Sequence, residues 1–393
     1  MTRPTTAPRS VAAGALMSLS LFLAASACTD PEPPPPADPG ATAVAETDNG
    51  LGQVRTYYVG ADEVEWDYAP TGLNQITGRP FDETAGIYAA PGPDRIGRVY
   101  RKALFREYTD ASFTTLKPRP AEWQHLGMLG PLIRASVGDT IRFVLRNNTT
   151  RPISVHPHGV FYDKSNEGAP YADGTSGARK ADDAVAPGDT YAYRWAVPAR
   201  SGPGPADGTS VFWMYHSHTD EVADTYAGLI GPMIVTARGK ARADGTPVDV
   251  DRELVTMFFV SDENQSPYLG INILEHAGDP ASVNPEDEDF IESNKMHSIN
   301  GYVFGNLPGL DMKKGEMVRW YLMGMGTEVD LHTPHWHGNT LLINGGRTDV
   351  AELLPATMMM GDMQPDDPGT WLYHCHVNDH ITAGMLALYR VRP

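Results

Sequence analysis

Ten of the 13 histidines of this chain lie in four short motifs, and one of its two cysteines lies inside the last of them. The motifs are HPHG at residues 156–159, HSH at 216–218, HTPHWHG at 332–338 and HCHVNDHITAGM at 374–385. Histidines used only for packing would be scattered along the chain. Because imidazole and thiolate are ligands for transition metals, this clustering predicts metal sites.

The H-C-H stretch has the spacing of a two-sided β-strand. Residues i and i+2 of a strand face one side of a sheet, and residue i+1 faces the other. His374 and His376 are therefore expected to point one way and Cys375 the opposite way. One strand would then serve two metal sites, with the imidazoles in one and the thiolate in the other.

The last motif supplies most of the ligands of the thiolate site, and another motif supplies the remaining one. Two histidines, one cysteine and a weak axial methionine form the blue-copper ligand set. Cys375, His380 and Met385 supply three of these ligands within one motif. His332, which opens HTPHWHG, is the predicted fourth ligand. Ser217 takes the place of the cysteine in HSH, and a hydroxyl cannot replace a soft thiolate, so we expect blue copper only in the second half.

Eight histidines remain, four from each half of the chain. They are His156, His158, His216, His218, His335, His337, His374 and His376. Eight imidazoles suit a three-copper cluster held at an interface between domains. A zinc site or a structural role for these histidines is the alternative.

The sequence pattern predicts that these motifs are carried by short strands. The chain has 39 glycines and 33 prolines, and β-type runs such as TIRFVLRNN, ELVTMFFV and TWLYHCHV recur between turn signals. Long amphipathic helical patterns are rare. This pattern predicts an all-β fold of Greek-key sandwiches.

An internal repeat divides the chain into two copies of one unit. Residues 137–147 (VGDTIRFVLRN) resemble residues 314–324 (KGEMVRWYLMG), and FWMYHSHTD resembles TWLYHCHVND. We therefore predict two tandem sandwich domains, at residues 53–238 and 251–393, with the thiolate site in the second. Residues 239–250 are the predicted linker between them.

The first 52 residues are predicted to lie outside the fold. An arginine-containing start and an apolar run that ends in small residues are typical of a signal peptide at residues 1–28. We expect Cys28 to be lipidated, which would anchor the protein to the outer face of a bacterial cell membrane. Ordinary cleavage and secretion is the alternative. Residues 29–52, rich in proline, are the predicted spacer.

The charge narrows the set of partners. The formal net charge is −18 at pH 7. Such a chain is poorly suited to nucleic acid or to an anionic membrane surface, so we expect membrane contact only through Cys28. If Cys28 carries lipid, Cys375 has no cysteine left to pair with, and binding to a metal would protect its thiol.

The four motifs resemble those of the multicopper oxidases, a family with cupredoxin-like domains. The resemblance implies copper as cofactor, with His332, Cys375, His380 and Met385 at type 1 copper. It implies that His156 and His335 bind type 2 copper. It also implies a type 3 pair bound by His158, His216, His218, His337, His374 and His376. The family takes electrons at type 1 copper and reduces dioxygen to water at the cluster.

The resemblance is strongest to ceruloplasmin and hephaestin. It includes ESNKMHSINGYVFGNLPGL at residues 292–310 and WYLMGMGTEVDLHTPHWHG at residues 320–338. It implies oxidation of Fe(II) at a site formed by Glu292, His297 and Asp379. Glu328 would complete this site from a neighbouring domain. A framework role for these four residues is the alternative.

The sequence is also compatible with other substrates and roles. Phenols or aromatic amines would be the reductants of a laccase-type enzyme. The run TMMMGDM at residues 357–363 would favour Cu(I), although methionine also fills gaps in protein cores. Asp173 is a candidate proton donor for water formation, or else an aspartate of a turn before glycine.

The resemblance also bears on assembly. The six-domain relatives form the three-copper cluster between their first and last domains, and three copies of a two-domain chain would supply six. We therefore expect a ring-shaped homotrimer. Two other classes of protein are alternatives. A copper store or electron-transfer protein would not consume oxygen, and a copper nitrite reductase would turn over nitrite instead.

Overall fold

The computed structural model describes residues 52–393, so the predicted signal peptide, Cys28 and almost all of the predicted spacer lie outside the described residues. The described residues form eighteen strands, which are the main regular structure of the chain. They are β1 (Val54–Asp67), β2 (Val99–Tyr108), β3 (Ile133–Ser136), β4 (Thr140–Asn147), β5 (His156–Pro157), β6 (Thr190–Ala196), β7 (Ser210–His216), β8 (Ile230–Thr236), β9 (Arg252–Asp262), β10 (Lys295–Ile299), β11 (Asp311–Lys313), β12 (Val318–Gly324), β13 (Pro334–Trp336), β14 (Leu341–Ile343), β15 (Gly346–Thr348), β16 (Met358–Met363), β17 (Gly369–Cys375) and β18 (Leu386–Arg392).

The helices are short and lie in the connections between strands. The α-helices are α1 (Glu83–Ala89), α2 (Glu221–Ala227), α3 (Leu269–His276), α4 (Glu288–Ser293) and α5 (Asn378–Thr382). Short 3-10 helices lie at Ala121–Leu126, Gly177–Lys180, Ala199–Ser201 and Pro280–Ser282. Within residues 52–393, none of the helices has the length and apolar character needed to cross a membrane.

Each half of the described chain contains two sheets, and the halves repeat one pairing scheme. In the first half the strand orders are β2-β1-β4-β6 and β3-β8-β7-β5. In the second half they are β10-β9-β12-β16-β14-β15 and β11-β18-β17-β13. The parallel pairs β1/β4 and β3/β8 recur as β9/β12 and β11/β18. The predicted all-β class is confirmed.

The strands follow from the alternation of apolar residues. In β4, the side chains of Ile141, Phe143 and Leu145 are fully buried, while Arg142 between them is exposed. All seven residues of β12 are buried, because both faces of this strand are covered. Trp320 faces the core of the second half, and Tyr321 faces the first half.

The two halves share a third core between their own two. It combines Phe212, Met214 and Ile234 of the first half with Val255 and Phe259 of the second, among other buried residues. Residues 52–393 accordingly lie within one compact unit. The division into domains at 53–238 and 251–393 stays a prediction.

The predicted linker at residues 239–250 is an ordered loop. The Arg242 guanidinium donates hydrogen bonds to the carbonyl oxygens of Pro247 and Val250. Asp249 of the same loop forms an ion pair with Arg319 of β12 at 3.1 Å. The loop is therefore tied to both its own backbone and the second half.

The methionine-rich run lies in β16, between β12 and β14. Met363 is fully buried in the core of the second half, and Met359 packs against that core. Met358 and Met360 pack against the core shared by the two halves. These side chains fill space between the sheets, which favours the packing role over a site for Cu(I).

Candidate metal centres

The thiol centre is formed by His332, Cys375 and His380, all of which are buried. Cys375 is the last residue of β17, and His380 lies five residues later in α5. The Nδ1 atoms of His332 and His380 are 3.2 Å apart. The Cys375 Sγ lies 3.9 Å from the first of these nitrogens and 3.5 Å from the second.

Local hydrogen bonds hold this arrangement together. The backbone N–H of His332 donates to the Leu353 carbonyl, which fixes the segment before β13. The backbone N–H of Cys375 donates to the Met385 carbonyl. Met385 is fully buried in the same core as Cys375. Gly384 before it has a φ of +107°, which favours glycine, and a Cβ there would lie 2.9 Å from the Phe304 ring.

The surroundings favour the thiolate form of Cys375. Burial raises the pKa of the thiol, but hydrogen bonds with His332, His380 and the N–H of Thr333 outweigh it and lower the pKa to about 6. Two nitrogen lone pairs and a sulfur converge within a dry core, and this soft donor set suits copper.

Asp330 is a residue of this centre that the motif analysis missed. Its side chain is fully buried, and Oδ1 lies 3.1 Å from Nε2 of His332. The same Oδ1 accepts a hydrogen bond from the N–H of Val260. Burial lowers the pKa of His332, but Asp330 and the Cys375 sulfur raise it above its usual value. The sequence signal was an acid two residues before the histidine.

The first-half imidazole cluster consists of His156, His158, His216 and His218. Nε2 of His158 lies 3.1 Å from Nε2 of His216. The ring of His156 is 5.2 to 5.7 Å, centre to centre, from the other three rings. Burial lowers the pKa of both His158 and His216 to about 4, so both are neutral at pH 7 and have a free lone pair for a metal.

The second-half imidazole cluster consists of His335, His337, His374 and His376. Nε2 of His374 lies 3.2 Å from Nδ1 of His335 and 3.1 Å from Nε2 of His337. The His376 ring is 5.2 Å from the His335 ring and 5.4 Å from the His374 ring. The two histidines of H-C-H therefore face one group of rings, and Cys375 faces the thiol centre.

Matching backbone hydrogen bonds orient one histidine in each cluster. Nδ1 of His216 lies 2.9 Å from the Ser217 carbonyl oxygen, and Nδ1 of His374 lies 2.6 Å from the Cys375 carbonyl oxygen. Since a carbonyl only accepts, each Nδ1 carries the proton and each Nε2 is left free for a metal.

The two imidazole clusters are separate in this chain. Within residues 52–393, no hydrogen bond or ring contact joins a histidine of one cluster to a histidine of the other. Both clusters reach the surface, because His376 is exposed and the His218 side chain is 34% exposed. Each cluster therefore has an open side.

A third group, the acid pocket, consists of Glu292, His297 and Asp379. The ring of His297 lies 5.2 Å from the ring of His380 in the thiol centre. Glu292 accepts a hydrogen bond of 2.8 Å from the hydroxyl of Tyr88, whose ring is 5.7 Å from His297.

The charge of Asp379 acts on Tyr88, the hydrogen-bond partner of Glu292. Burial, the bond to Glu292 and the nearby charge of Asp379 together raise the pKa of Tyr88. Asp379 is exposed in the first turn of α5, directly before His380. Three of the four residues predicted for iron therefore lie together beside the thiol centre, and Tyr88 was not predicted.

Within residues 52–393, two other predicted site residues have no contact with the site each was predicted to serve, and Glu328 was expected to act across an interface. Glu328 is exposed, and among residues 52–393 it has no hydrogen bond or ion pair with the acid pocket. Asp173 accepts hydrogen bonds from the N–H and hydroxyl of Thr175, and lies 3.4 Å from Lys180 Nζ. These contacts hold the pKa of Asp173 well below its usual range, which favours the turn role over proton donation.

Comparison with protein families gives matches over both halves. The multicopper oxidase family matches residues 109–240 and again residues 279–393. Ferroxidase HEPHL1 from Homo sapiens is 49% identical over 340 residues. Hephaestin from Homo sapiens is 48% identical over 345 residues, and ceruloplasmin from Rattus norvegicus is 44% identical over 341 residues.

These alignments cover most of this chain but a small part of each relative. They include 86%, 87% and 86% of the chain, and 29%, 30% and 32% of the respective relatives. The chain thus spans less than a third of the length of these curated relatives.

Comparison with solved structures concerns the fold. A crystal structure of a multicopper oxidase aligns with a TM-score of 0.54 at 17% identity, covering 88% of this chain and 90% of the other. A copper nitrite reductase from Nitrosomonas europaea aligns with a TM-score of 0.52 at 18% identity, covering 86% of this chain and 93% of the other. The predicted cupredoxin-like architecture is confirmed.

Proposed function

The chain belongs to the multicopper oxidase family, and from that premise we propose that it oxidises Fe(II) and passes the electrons to dioxygen. The observation that carries the proposal is the position of the acid pocket, where His297 lies 5.2 Å, ring to ring, from His380 of the thiol centre. Asp379 directly precedes His380 in the sequence. A cation held by Glu292, His297 and Asp379 would therefore lie close to the copper that accepts its electron.

Copper is the cofactor that fits the donor sets. The thiol centre, with Met385, would hold one type 1 ion. His156 and His335 would hold type 2 copper, and the other six cluster histidines would hold a type 3 pair, giving four copper ions for each functional unit. Bound copper would supply a one-electron acceptor at the thiol centre and an oxygen-reducing centre among the imidazoles.

The acid pocket has the chemistry of an iron site. Burial raises the pKa of Glu292, but hydrogen bonds from Tyr88 and Lys295 outweigh it, so the carboxyl is ionised at neutral pH. Nδ1 of His297 faces the Lys295 carbonyl at 2.9 Å and carries the proton, which leaves Nε2 free as a ligand. Carboxylates stabilise the higher charge of Fe(III) and so favour loss of the electron.

The chain offers a short path for that electron. Cys375 contributes its sulfur to the thiol centre, and its neighbours His374 and His376 contribute rings to the second-half imidazole cluster. The Cys375 carbonyl also accepts the hydrogen bond from His374 Nδ1 at 2.6 Å. Each Fe(II) gives up one electron, and dioxygen takes four electrons and four protons to leave as two waters.

Assembly of several copies would complete the oxygen-reducing centre. The two imidazole clusters do not meet within residues 52–393, and each has an open side. In the proposed homotrimer, the first-half cluster of one copy would face the second-half cluster of the next. Glu328, which is exposed, would then serve the acid pocket of a neighbour. Sedimentation of the copper-loaded protein as an active monomer would rule out this arrangement.

Export and lipidation at Cys28 complete the proposal. They rest on the sequence of residues 1–28, which lie outside the described residues. Mass spectrometry of the mature N-terminus would distinguish a diacylated Cys28 from a free N-terminus produced by ordinary cleavage.

The decisive experiment compares substrates in one mutant. Oxygen uptake is measured with Fe(II) and with a substituted phenol for wild type and Glu292→Ala. We expect the kcat/KM for Fe(II) to fall about 10-fold or more, while the value for the phenol stays within about 2-fold. Glu286→Ala is the control, because Glu286 is exposed and its side chain has no ion pair in the described chain. Equal loss on both substrates would refute the iron site.

A laccase-type reaction is the second candidate. Val329, Leu331 and Leu354 are 59%, 51% and 55% exposed, and the first two precede His332. An apolar surface beside the thiol centre would suit the flat ring of a phenol or an aromatic amine. A higher kcat/KM for the phenol than for Fe(II) in wild type would favour this candidate.

A further inference from the structure

One peptide group connects a buried carboxylate to the first-half imidazole cluster. The Glu167 carbonyl oxygen lies 2.7 Å from Nδ1 of His156. The Gly168 N–H, on the other side of the same peptide bond, donates to Oδ2 of Asp182 at 2.9 Å. Carboxylate, peptide and imidazole therefore form a continuous chain of hydrogen bonds.

Asp182 lies outside the histidine motifs. It is buried, and hydrogen bonds hold it in place. Its side chain has no exposed surface. Its Oδ1 has no hydrogen-bond partner in the described part of the chain. Its backbone carbonyl accepts a hydrogen bond of 2.7 Å from Tyr193, whose hydroxyl accepts one from the N–H of Val155 beside His156. Burying a carboxylate with one unpaired oxygen costs desolvation energy, so a functional role for Asp182 is expected.

Gly168 is held too tightly to move away from Asp182. Its φ is +70°, and a Cβ there would lie 2.3 Å from the Val155 carbonyl oxygen. Its own carbonyl accepts a hydrogen bond of 2.6 Å from the Ser154 hydroxyl, which in turn accepts one from the N–H of His218. The peptide thus has a single orientation, because its neighbours in both first-half histidine motifs fix it.

We propose that Asp182 is a positioning residue for the type 2 copper ligand His156 and acts through the Glu167–Gly168 peptide. The carboxylate polarises the peptide, which makes the Glu167 carbonyl a stronger acceptor for the Nδ1 proton of His156. Nε2 is then the free and more basic nitrogen. This inference rests on the proposed copper assignment of His156, but not on Fe(II) as the substrate.

The equivalent ligand in the second half has no such support. Nδ1 of His335 faces His374 at 3.2 Å, and Nε2 lies 3.6 Å from a carboxylate oxygen of Asp349. The Asp349 side chain is 56% exposed. Water competes for that contact, so it should orient His335 less firmly than the peptide orients His156.

The test measures copper binding, so it does not depend on the substrate. Apo-protein of wild type, Asp182→Asn and Asp182→Ala is titrated with copper, and type 2 copper is followed by electron paramagnetic resonance. Asp183→Asn is the control, because Asp183 is adjacent and its carboxylate pairs with Lys180 at 2.9 Å. Blue absorbance reports the thiol centre in the same samples.

We expect Asp182→Ala to weaken type 2 copper binding about 10- to 100-fold and to shift its hyperfine splitting. Asp182→Asn keeps an acceptor for Gly168 but loses the charge, so its affinity should fall less and its spectrum should still shift. Blue absorbance should stay at the wild-type level. Wild-type affinity and spectrum in both variants would overturn the proposal. Loss of the blue centre in Asp182→Asn would also overturn it, since the role would then be general stability.

Discussion

Two equivalent sites in the two halves have the same backbone arrangement but different side chains. Ser217 follows His216 as Cys375 follows His374, and both histidines donate from Nδ1 to the carbonyl of the next residue. Alignment of the AGL and AGM segments at residues 227–229 and 383–385 places Asp224 opposite His380. The matching isolated bridges Ile153–Val185 and His332–Leu353 place Ile153 opposite His332.

The first-half site satisfies its own polar groups. The Ser217 hydroxyl donates to Asp224 at 2.6 Å and accepts from the N–H of Ser154 at 3.1 Å. Burial raises the pKa of Asp224. In the second half, the Cys375 sulfur accepts the matching N–H from Thr333 at 3.4 Å, but it faces two imidazole nitrogens where Ser217 faces a carboxylate. The comparison teaches that the fold supplies the cavity, and three side chains decide whether it is a hydrogen-bonded core or a metal site.

The largest effect is expected from converting the second site toward the first. In Cys375→Ser a hard hydroxyl replaces the thiolate, so blue absorbance at roughly 600 nm should vanish. Turnover with Fe(II) and with a phenol should both fall below roughly 1% of wild type, because in the proposed reaction every electron enters at this centre. Absorption spectra and oxygen uptake of copper-loaded protein check this. A remaining blue band would show that another sulfur binds the copper.

An intermediate effect is expected from Asp330, the carboxylate beside His332 in the second site. Asp330→Asn removes the charge 3.1 Å from Nε2 of His332. Copper affinity of the thiol centre should fall about 10-fold, as read from blue absorbance during titration of apo-protein. Glu352→Gln, an exposed acid one residue from the strand partner Leu353, is the control and should titrate like wild type. Equal affinities of Asp330→Asn and the control would contradict the positioning role.

The smallest effect is expected from giving the first site a thiol. Ser217→Cys should not create a blue centre, because Ile153 and Asp224 offer no imidazole. The variant loses the hydroxyl bond to Asp224, which should lower the free energy of unfolding by about 1 kcal/mol. Spectra after copper loading and urea denaturation check the two outcomes. A new blue band would mean that the thiol alone, and not the full set, selects the metal.

Much of the fold was predictable because its signals are local. The runs TIRFVLRNN, ELVTMFFV and TWLYHCHV correspond to β4, β9 and β17, and the repeat corresponds to matching sheet pairings in the two halves. The strand β12 shows the limit of this reading. Alternation cannot tell that both of its faces are buried, since one face is covered by residues of the other half.

The supporting residues of the site were not predictable in the same way. Tyr88 reaches Glu292 across 204 positions of sequence, and Asp182 reaches His156 through a peptide 14 residues away. No spacing rule connects such pairs, because loop packing brings them together. Glu328 was expected to act across an interface, and within residues 52–393 it has no hydrogen bond or ion pair with the acid pocket, so its role stays a prediction.

The sequence by itself determined which side chains share a side of H-C-H, because the period of an extended backbone is a covalent property. It also determined that a thiolate exists in one half and a hydroxyl in the other. Only the tertiary structure decided that His332 meets Cys375, and that the acid pocket adjoins His380. It also decided that the two imidazole clusters stay apart. These outcomes depend on how sheets and helices pack, because contacts between residues distant in sequence form only when the surfaces that carry them are buried together.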